Sequence, residues 1–197
     1  GAPISGIQSV AWSDGADIRV NETRDYVQAL DDLPFPDYQL LSPLAAYWKN
    51  HHNMNGVVAE KKYTHVVSSR GCPYNCIYCH DVFGKRLRQR SPENFVAELK
   101  SLHDHYGIAE FHIVDDIFNF DRPRLHEVLH LILASGLKIK MAFPNGLRGD
   151  LLEKADIDLL HRAGAYMITF AVESGSPRIQ RLIKKNLNIA KVLENIE

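Results

Sequence analysis

The chain has 197 residues, enough for one ordinary domain with an appendage, and 45% are hydrophobic against 24% charged, which supports a buried core and excludes disorder by composition. Lysine and arginine number 23 against 24 acids, for a formal charge of -1, so no global basic field exists to hold nucleic acid in general. No apolar run approaches the roughly 20 residues that span a bilayer, and the opening Gly1-Ala2-Pro3-Ile4 lacks the basic and apolar regions of a secretory signal.

Residues 1–62 read as an appendage. Strand-like stretches at Ile7 to Trp12 and Ile18 to Val20 flank Asp14-Gly15, which predicts a hairpin. The prolines of Leu33-Pro34-Phe35-Pro36-Asp37-Tyr38 favour extended backbone over helix. The segment carries no catalytic pattern. It reads as a linker or the tail of a preceding domain, with a short cap on the main domain as the alternative.

The pattern changes at Tyr63. Tyr63 to Ser69 is rich in strand formers, and Ser91-Pro92 opens a helix whose apolar stripe is Phe95, Leu99, Leu102 and Tyr106. Phe111 to Val114 predicts a strand. A helix from Pro123 turns Leu125, Val128, Leu129, Ile132 and Leu133 inward, and Ile139 to Phe143 is the next strand. A helix over Leu151 to Ala163 and a strand over Met167 to Val172 follow. Ser176-Pro177 then opens a fourth helix, and Asn188 caps a fifth. Gly107, Gly136 and Gly164 lie 29 and 28 residues apart, each just before a strand, which is the period of a βα unit. Four successive units imply an α/β fold of parallel strands with right-handed crossovers. The mixed polarity of the strands suits a barrel wall whose inner face is partly polar near a ligand.

In such folds chemistry collects at the carboxyl ends of the strands. Here those ends carry Arg70-Gly71-Cys72, Asp115-Asp116, Pro144-Asn145-Gly146-Leu147-Arg148 and Glu173-Ser174-Gly175. All three cysteines, Cys72, Cys76 and Cys79, fall within eight residues in the spacing C-x3-C-x2-C. An odd, tightly clustered set is poor geometry for a disulfide scaffold and fits a reduced, cytoplasmic thiol cluster. Three thiolates on a short loop suit three irons of a cubane cluster, leaving the fourth iron open as a ligand site. A zinc site completed by His80 is the alternative, although adjacent Cys79 and His80 seldom reach one tetrahedral ion. Lys85, Arg86, Arg88 and Arg90 read as a solvated basic face. The histidines, including His51-His52, His103 and His105 on the surface and His112 in a strand, are assigned to no metal.

These residues resemble the radical S-adenosylmethionine (SAM) enzymes. The resemblance rests on Cys72, Cys76 and Cys79, with Tyr78 just before the last, and extends from Tyr63 to Glu197. Ser69-Arg70-Gly71-Cys72-Pro73, Arg90-Ser91-Pro92-Glu93-Asn94, Phe111 to Asp116, Pro144 to Arg148 and Glu173 to Ser176 look like the branch often preceded by a cobalamin-binding domain. Leu33-Pro34-Phe35-Pro36 resembles the linker between those domains. The resemblance implies a partial (βα) barrel over 63–197, a [4Fe-4S] cluster on the three cysteines, and SAM chelated at the open iron. Reductive cleavage would give methionine and a 5'-deoxyadenosyl radical.

It further implies that Tyr78 contacts the cofactor. Asp115 or Asp116 meets the SAM amino group, and Glu173 and Ser174 meet the ribose or methionine moiety. Asn145 is open to a ligand or a backbone role, and Arg148 to the SAM carboxylate or a rim acid. Glu173 paired with a nearby arginine to hold the rim is its alternative. An electron donor such as flavodoxin or ferredoxin is implied as partner, and cobalamin is implied for a longer parent protein. Four strands against the family's six lead us to expect a fragment that is inactive alone. Methyl transfer, cyclisation or rearrangement is the expected chemistry. Methylthiotransferases compete, but they carry a further three-cysteine domain, and no further cysteine is present here.

Overall fold

A computed structural model describes residues 3–41, 43–48 and 58–197. His51-His52 lie outside the described residues. The hairpin forms from β1 (Ala11–Asp14) and β2 (Asp17–Val20), paired Ala11↔Val20 around the Asp14-Gly15 turn. It begins later than the sequence suggests. Ile4–Gly6 form a short 3-10 turn instead, held by Asn21, whose amide donates to the carbonyls of Ile4 and Ile7.

β3 (Tyr63–Val66), β4 (Ser69–Arg70) and β5 (Arg88–Gln89) follow, then α1 (Pro92–Tyr106), β6 (Glu110–Ile113), α2 (Arg122–Ser135), β7 (Lys140–Phe143), α3 (Lys154–Arg162), β8 (Ala165–Ile168), α4 (Pro177–Leu182) and α5 (Ile189–Glu194). The main sheet has the order β3-β6-β7-β8 with every pair parallel, so the molecule holds a four-unit partial barrel. β4 and β5 make a separate antiparallel pair, and the cysteine loop spans between them.

Local chemistry explains the helix ends. The side chains of Ser91, Asp121 and Asn188 accept from the backbone N–H of Asn94, Arg124 and Lys191, capping α1, α2 and α5. Gly107 and Gly136 close α1 and α2 in the left-handed region. Gly164 acts differently from these two. Its φ is +106°, and a Cβ there would meet the Ile139 carbonyl at 2.2 Å, so glycine lets β8 start against β7.

Two further elements shift from the sequence expectation. Gly149–Leu151 is a 3-10 turn, and α3 starts only at Lys154, where the Glu153 N–H donates to the Asp156 carboxylate at 2.8 Å. β8 spans Ala165–Ile168 rather than Met167 to Val172. β7 ends at Phe143 with Pro144 next, so β8 runs out of partner, and the Thr169 carbonyl instead accepts from the Leu147 N–H.

The core lies between sheet and helices. Phe111, Ile113, Met141 and Phe143 meet Phe95, Leu99, Leu125, Leu129 and Leu160. Of the expected stripes, Tyr106 and Leu133 are only partly buried against it. On the opposite side of β6, Glu110 and His112 are buried. The Glu110 carboxylate accepts from the N–H groups of Ala59 and Glu60, from His112 Nε2 and from the Tyr166 hydroxyl, all at 2.6–2.7 Å. Glu110, the first residue of β6, thus gathers a buried polar cluster on this side of the sheet.

The basic run is not a solvated face, as the sequence suggested. Arg86 and Lys85 are exposed, but Arg88 is buried and donates to the carbonyls of Val27 and Phe83 while stacking on Tyr26 at 4.6 Å. Arg90 pairs with Glu98 and faces Phe35 and Phe95. Together with the Asp31 carboxylate on the Ser91 N–H, these contacts fasten residues 26–35 to the outside of the core. The guanidinium is suited to this work, since it offers a flat face to aromatics and a fork of donors to carbonyls.

Candidate active site

The cleft opens at the carboxyl ends of the parallel strands. Two adjoining hollows, of about 200 and 260 Å³, share Cys72, Tyr74, Cys76, Cys79, Asp116 and Asn145 and so form one cleft. That is room of the order a small cofactor needs. Arg148, Glu173, Tyr78 and Lys185 line the same space. The loops after β4, β6, β7 and β8 therefore converge, as the rim positions in the sequence suggested.

The cysteine loop is built by close approach. Gly71 sits at φ +89°, and a Cβ would lie 2.5 Å from the Arg86 carbonyl, so only glycine lets the chain turn out of β4 into Cys72. The Cys72 N–H donates to the Gly84 carbonyl, and the Ile77 N–H donates to Ile183 across the cleft mouth. No disulfide forms: all three thiols are free. Burial pushes the Cys72 thiol up, helped by the charges of Asp116 and Cys76. Desolvation likewise raises Cys79, and so do the neighbouring charges of Cys76 and Cys72. Cys72 and Cys79, which resist ionisation chiefly through burial and further through neighbouring charge, belong to a crowded three-thiol donor set that a cationic metal centre relieves. This fits an iron-sulfur group. Among the described residues, no three metal-binding side chains are gathered around a single-ion position.

The two aspartates part company. Asp116 faces the cleft, with Oδ2 accepting from the Gly71 N–H at 3.0 Å and Oδ1 3.8 Å from His80 Nε2. Asp115 turns inward, 2% exposed, and accepts from the Ser68 N–H and from the hydroxyls of Ser68 and Ser69. Burial raises its carboxyl, opposed by those serines and by Arg124. Asp115 therefore does not line the cleft.

Ser174 does not line it either. Its hydroxyl accepts from the Ser176 N–H at 3.1 Å, shaping the turn into α4. Asn145 takes a backbone role, its amide donating to Val114 at 2.8 Å, while still lining the cleft. Arg148 takes the rim-acid role. It forms a two-pronged pair with Asp150 at 2.9 and 3.2 Å and donates to the carbonyls of Lys185 and Asn186.

Glu173 sits at φ +64° beyond β8. Its Oε1 accepts from the Tyr78 hydroxyl at 3.2 Å and from Lys185 Nζ at 3.1 Å, so the partner is a lysine rather than an arginine. Chiefly through the Lys185 hydrogen bond, the carboxyl is held below the usual range. Desolvation first, then the charges of Cys76 and Glu173, raise the Tyr78 phenol.

Sequence reasoning missed Lys185 and Tyr74. The left-handed backbone at Lys184 and Asn186 (φ 56° and 51°) bends the loop after α4 over the cleft and carries Lys185 into it. Lys184-Lys185-Asn186 just after a helix was the available signal, but nothing local shows that the loop folds back.

A parallel βα sheet with a three-thiol loop and converging polar groups at its carboxyl rim has the layout of a cofactor-dependent enzyme. The sequence model of the radical SAM superfamily matches residues 66–197, and the chain belongs to that superfamily.

Among curated relatives, the uncharacterized methyltransferase PH0819 of Pyrococcus horikoshii is 30% identical, over all of this chain and 41% of its own length. The cytidylyl-2-hydroxyethylphosphonate methyltransferase of Streptomyces wedmorensis is 34% identical, over 82% of this chain and 30% of its own. The chain thus spans less than half of either relative. Among solved structures, the cobalamin-dependent SAM radical enzyme OxsB, with aqua-cobalamin and SAM bound, superposes over 99% of this chain and 28% of its own, with a TM-score of 0.74 at 19% identity. TsrM from Kitasatospora setae, a radical SAM methyltransferase, covers 60% of this chain and 23% of its own at TM-score 0.56 and 22% identity. At these identities the likeness shows the fold alone.

Proposed function

We propose that this chain is the cluster-bearing part of a radical SAM enzyme of the cobalamin-associated branch, acting in methyl transfer. The observation that carries the reading is the single cleft in which Cys72, Cys76 and Cys79 face Asp116, Glu173 and Lys185. The methyltransferase names of PH0819 and the Streptomyces enzyme favour methyl transfer over cyclisation. Cobalamin use and an external donor of flavodoxin or ferredoxin type belong to the proposal for the longer protein.

The three thiolates would hold a [4Fe-4S] cluster. When bound, the cluster supplies the electron that cleaves the sulfonium of SAM. The chain's own residues select and orient. Asp116 presents a carboxylate suited to an ammonium group. Lys185 presents an ammonium suited to a carboxylate, and Glu173 an acceptor suited to a vicinal diol. Tyr78 and Tyr74 offer flat apolar faces, and they help to exclude water from the cleft.

The test is anaerobic reconstitution with iron and sulfide, followed by assay of iron, zinc and acid-labile sulfide, and of 5'-deoxyadenosine after dithionite and SAM. About four irons and four sulfides per chain support the reading, with or without turnover. One zinc and no labile sulfide would contradict it and leave a zinc-stabilised binding module.

A further inference from the structure

We propose that Asp115 is a positioning residue for the cysteine loop, acting through Ser68 and Ser69, and that it is not a cofactor contact. The proposal rests on reading Cys72, Cys76 and Cys79 as the cluster ligands. Asp115 lies just past the end of β6, Ser68 lies in the short step from β3 into β4, and Ser69 opens β4. Asp115 Oδ1 accepts from the Ser68 N–H at 2.7 Å. Its Oδ2 accepts from both serine hydroxyls at 2.6 Å. All three residues are 2% exposed or less. The Ser68 carbonyl is gripped in turn by Arg124 at 3.2 Å and by the Arg90 N–H at 3.0 Å.

The next acid continues the grip, since Asp116 takes the Gly71 N–H at 3.0 Å. Two adjacent carboxylates, facing opposite ways, thereby fix residues 68, 69 and 71 on a β6 that is itself central in the sheet. The first cysteine is the next residue, so the direction in which the loop leaves the core is set from below. Hydrogen bonds that converge on one buried carboxyl group reinforce one another and resist displacement, since breaking any of them strands a polar group in the core. Three on one carboxylate leave Ser68 and Ser69 a single arrangement.

Two variants and one control test the role. Asp115→Asn replaces an acceptor oxygen with a donor, and Ser69→Ala removes one hydroxyl with less risk to folding. Asp156→Asn is the control, because Asp156 is equally buried but caps α3 away from the cleft. Amide exchange of residues 68–72 in the metal-free chain should quicken by on the order of tenfold in Asp115→Asn and Ser69→Ala. It should stay unchanged in the control. In reconstituted protein the two variants should shift the EPR g-values of the reduced cluster, and the control should not.

Unchanged exchange and unchanged g-values in both variants would overturn the proposal. So would an equal shift in the control, which would mark generic loosening. If the wild-type chain takes up no iron or sulfide, the functional reading fails, and the exchange measurement still decides whether Asp115 holds the loop.

Discussion

The guanidinium of Arg148 lies 3.9 Å from the centre of the Tyr74 ring, inside the cysteine loop. The same fork pairs with Asp150 and reaches the carbonyls of Lys185 and Asn186. One side chain therefore joins the loop that carries the thiols, the turn at Gly149–Leu151 and the segment that carries Lys185. A lysine would give charge without the flat face or the fork.

Removing that strut should cost stability as well as site geometry. Both side chains of the Arg148–Asp150 pair are 10% exposed, so Arg148→Ala strands a nearly buried carboxylate. The expected loss is about 3 kcal/mol, and Tyr74→Leu should lose about 1 kcal/mol. Urea unfolding of the metal-free chain measures both. Losses below about 0.5 kcal/mol, the range of ordinary surface substitutions, would show that Arg148 is not a strut.

Arg90 makes a parallel prediction on the outer side. Its partner Glu98 has a side chain only 5% exposed. Arg90→Ala should therefore destabilise by about 3 kcal/mol and loosen Phe35, on which Arg90 stacks. Limited proteolysis should then cut within residues 26–36 before the core. Adding Glu98→Gln should recover part of the stability, because no charge is then left unpaired.

The Glu173–Lys185 pair makes the rim sensitive to acid. Lys185, by hydrogen bond and charge, and Tyr78 hold the Glu173 carboxyl below its usual value. A depressed acid contributes stability above its unfolded value and loses it as pH falls through the folded one. The pair should therefore persist at neutral pH and open only below the ordinary carboxylate range. In Lys185→Met, the Glu173 midpoint should rise toward the ordinary carboxylate range, read by carbon-13 NMR of the carboxyl. No upward movement would show that Lys185 does not hold Glu173.

The legible parts of this molecule are those written in local pattern. The Ser91 cap, the Phe95-Leu99-Leu102 stripe and the thiol spacing each depend on residues a few positions apart, and each stands where it was read. The end of β8 was not legible, because it depends on where β7 stops. Asp115 and Asp116 could not be separated either. Side-chain alternation says that neighbours at a strand end face opposite ways, but not which faces the cleft. The arginines at 88 and 90 looked solvated because the residues that cover them from the amino-terminal segment, Tyr26, Val27 and Phe35, are more than 50 residues away. Lys185 was hidden for the same reason, since its place depends on a left-handed bend and on carbonyls held by Arg148.

The central claim is that three cysteines hold a cluster with one open iron, beside a cleft that orients SAM. The most direct measurement is EPR of the reconstituted, dithionite-reduced chain with and without SAM. The account predicts a four-iron signal that changes when SAM is added, and its loss in each of Cys72→Ala, Cys76→Ala and Cys79→Ala. A four-iron signal indifferent to SAM, or one that survives loss of a cysteine, would contradict it.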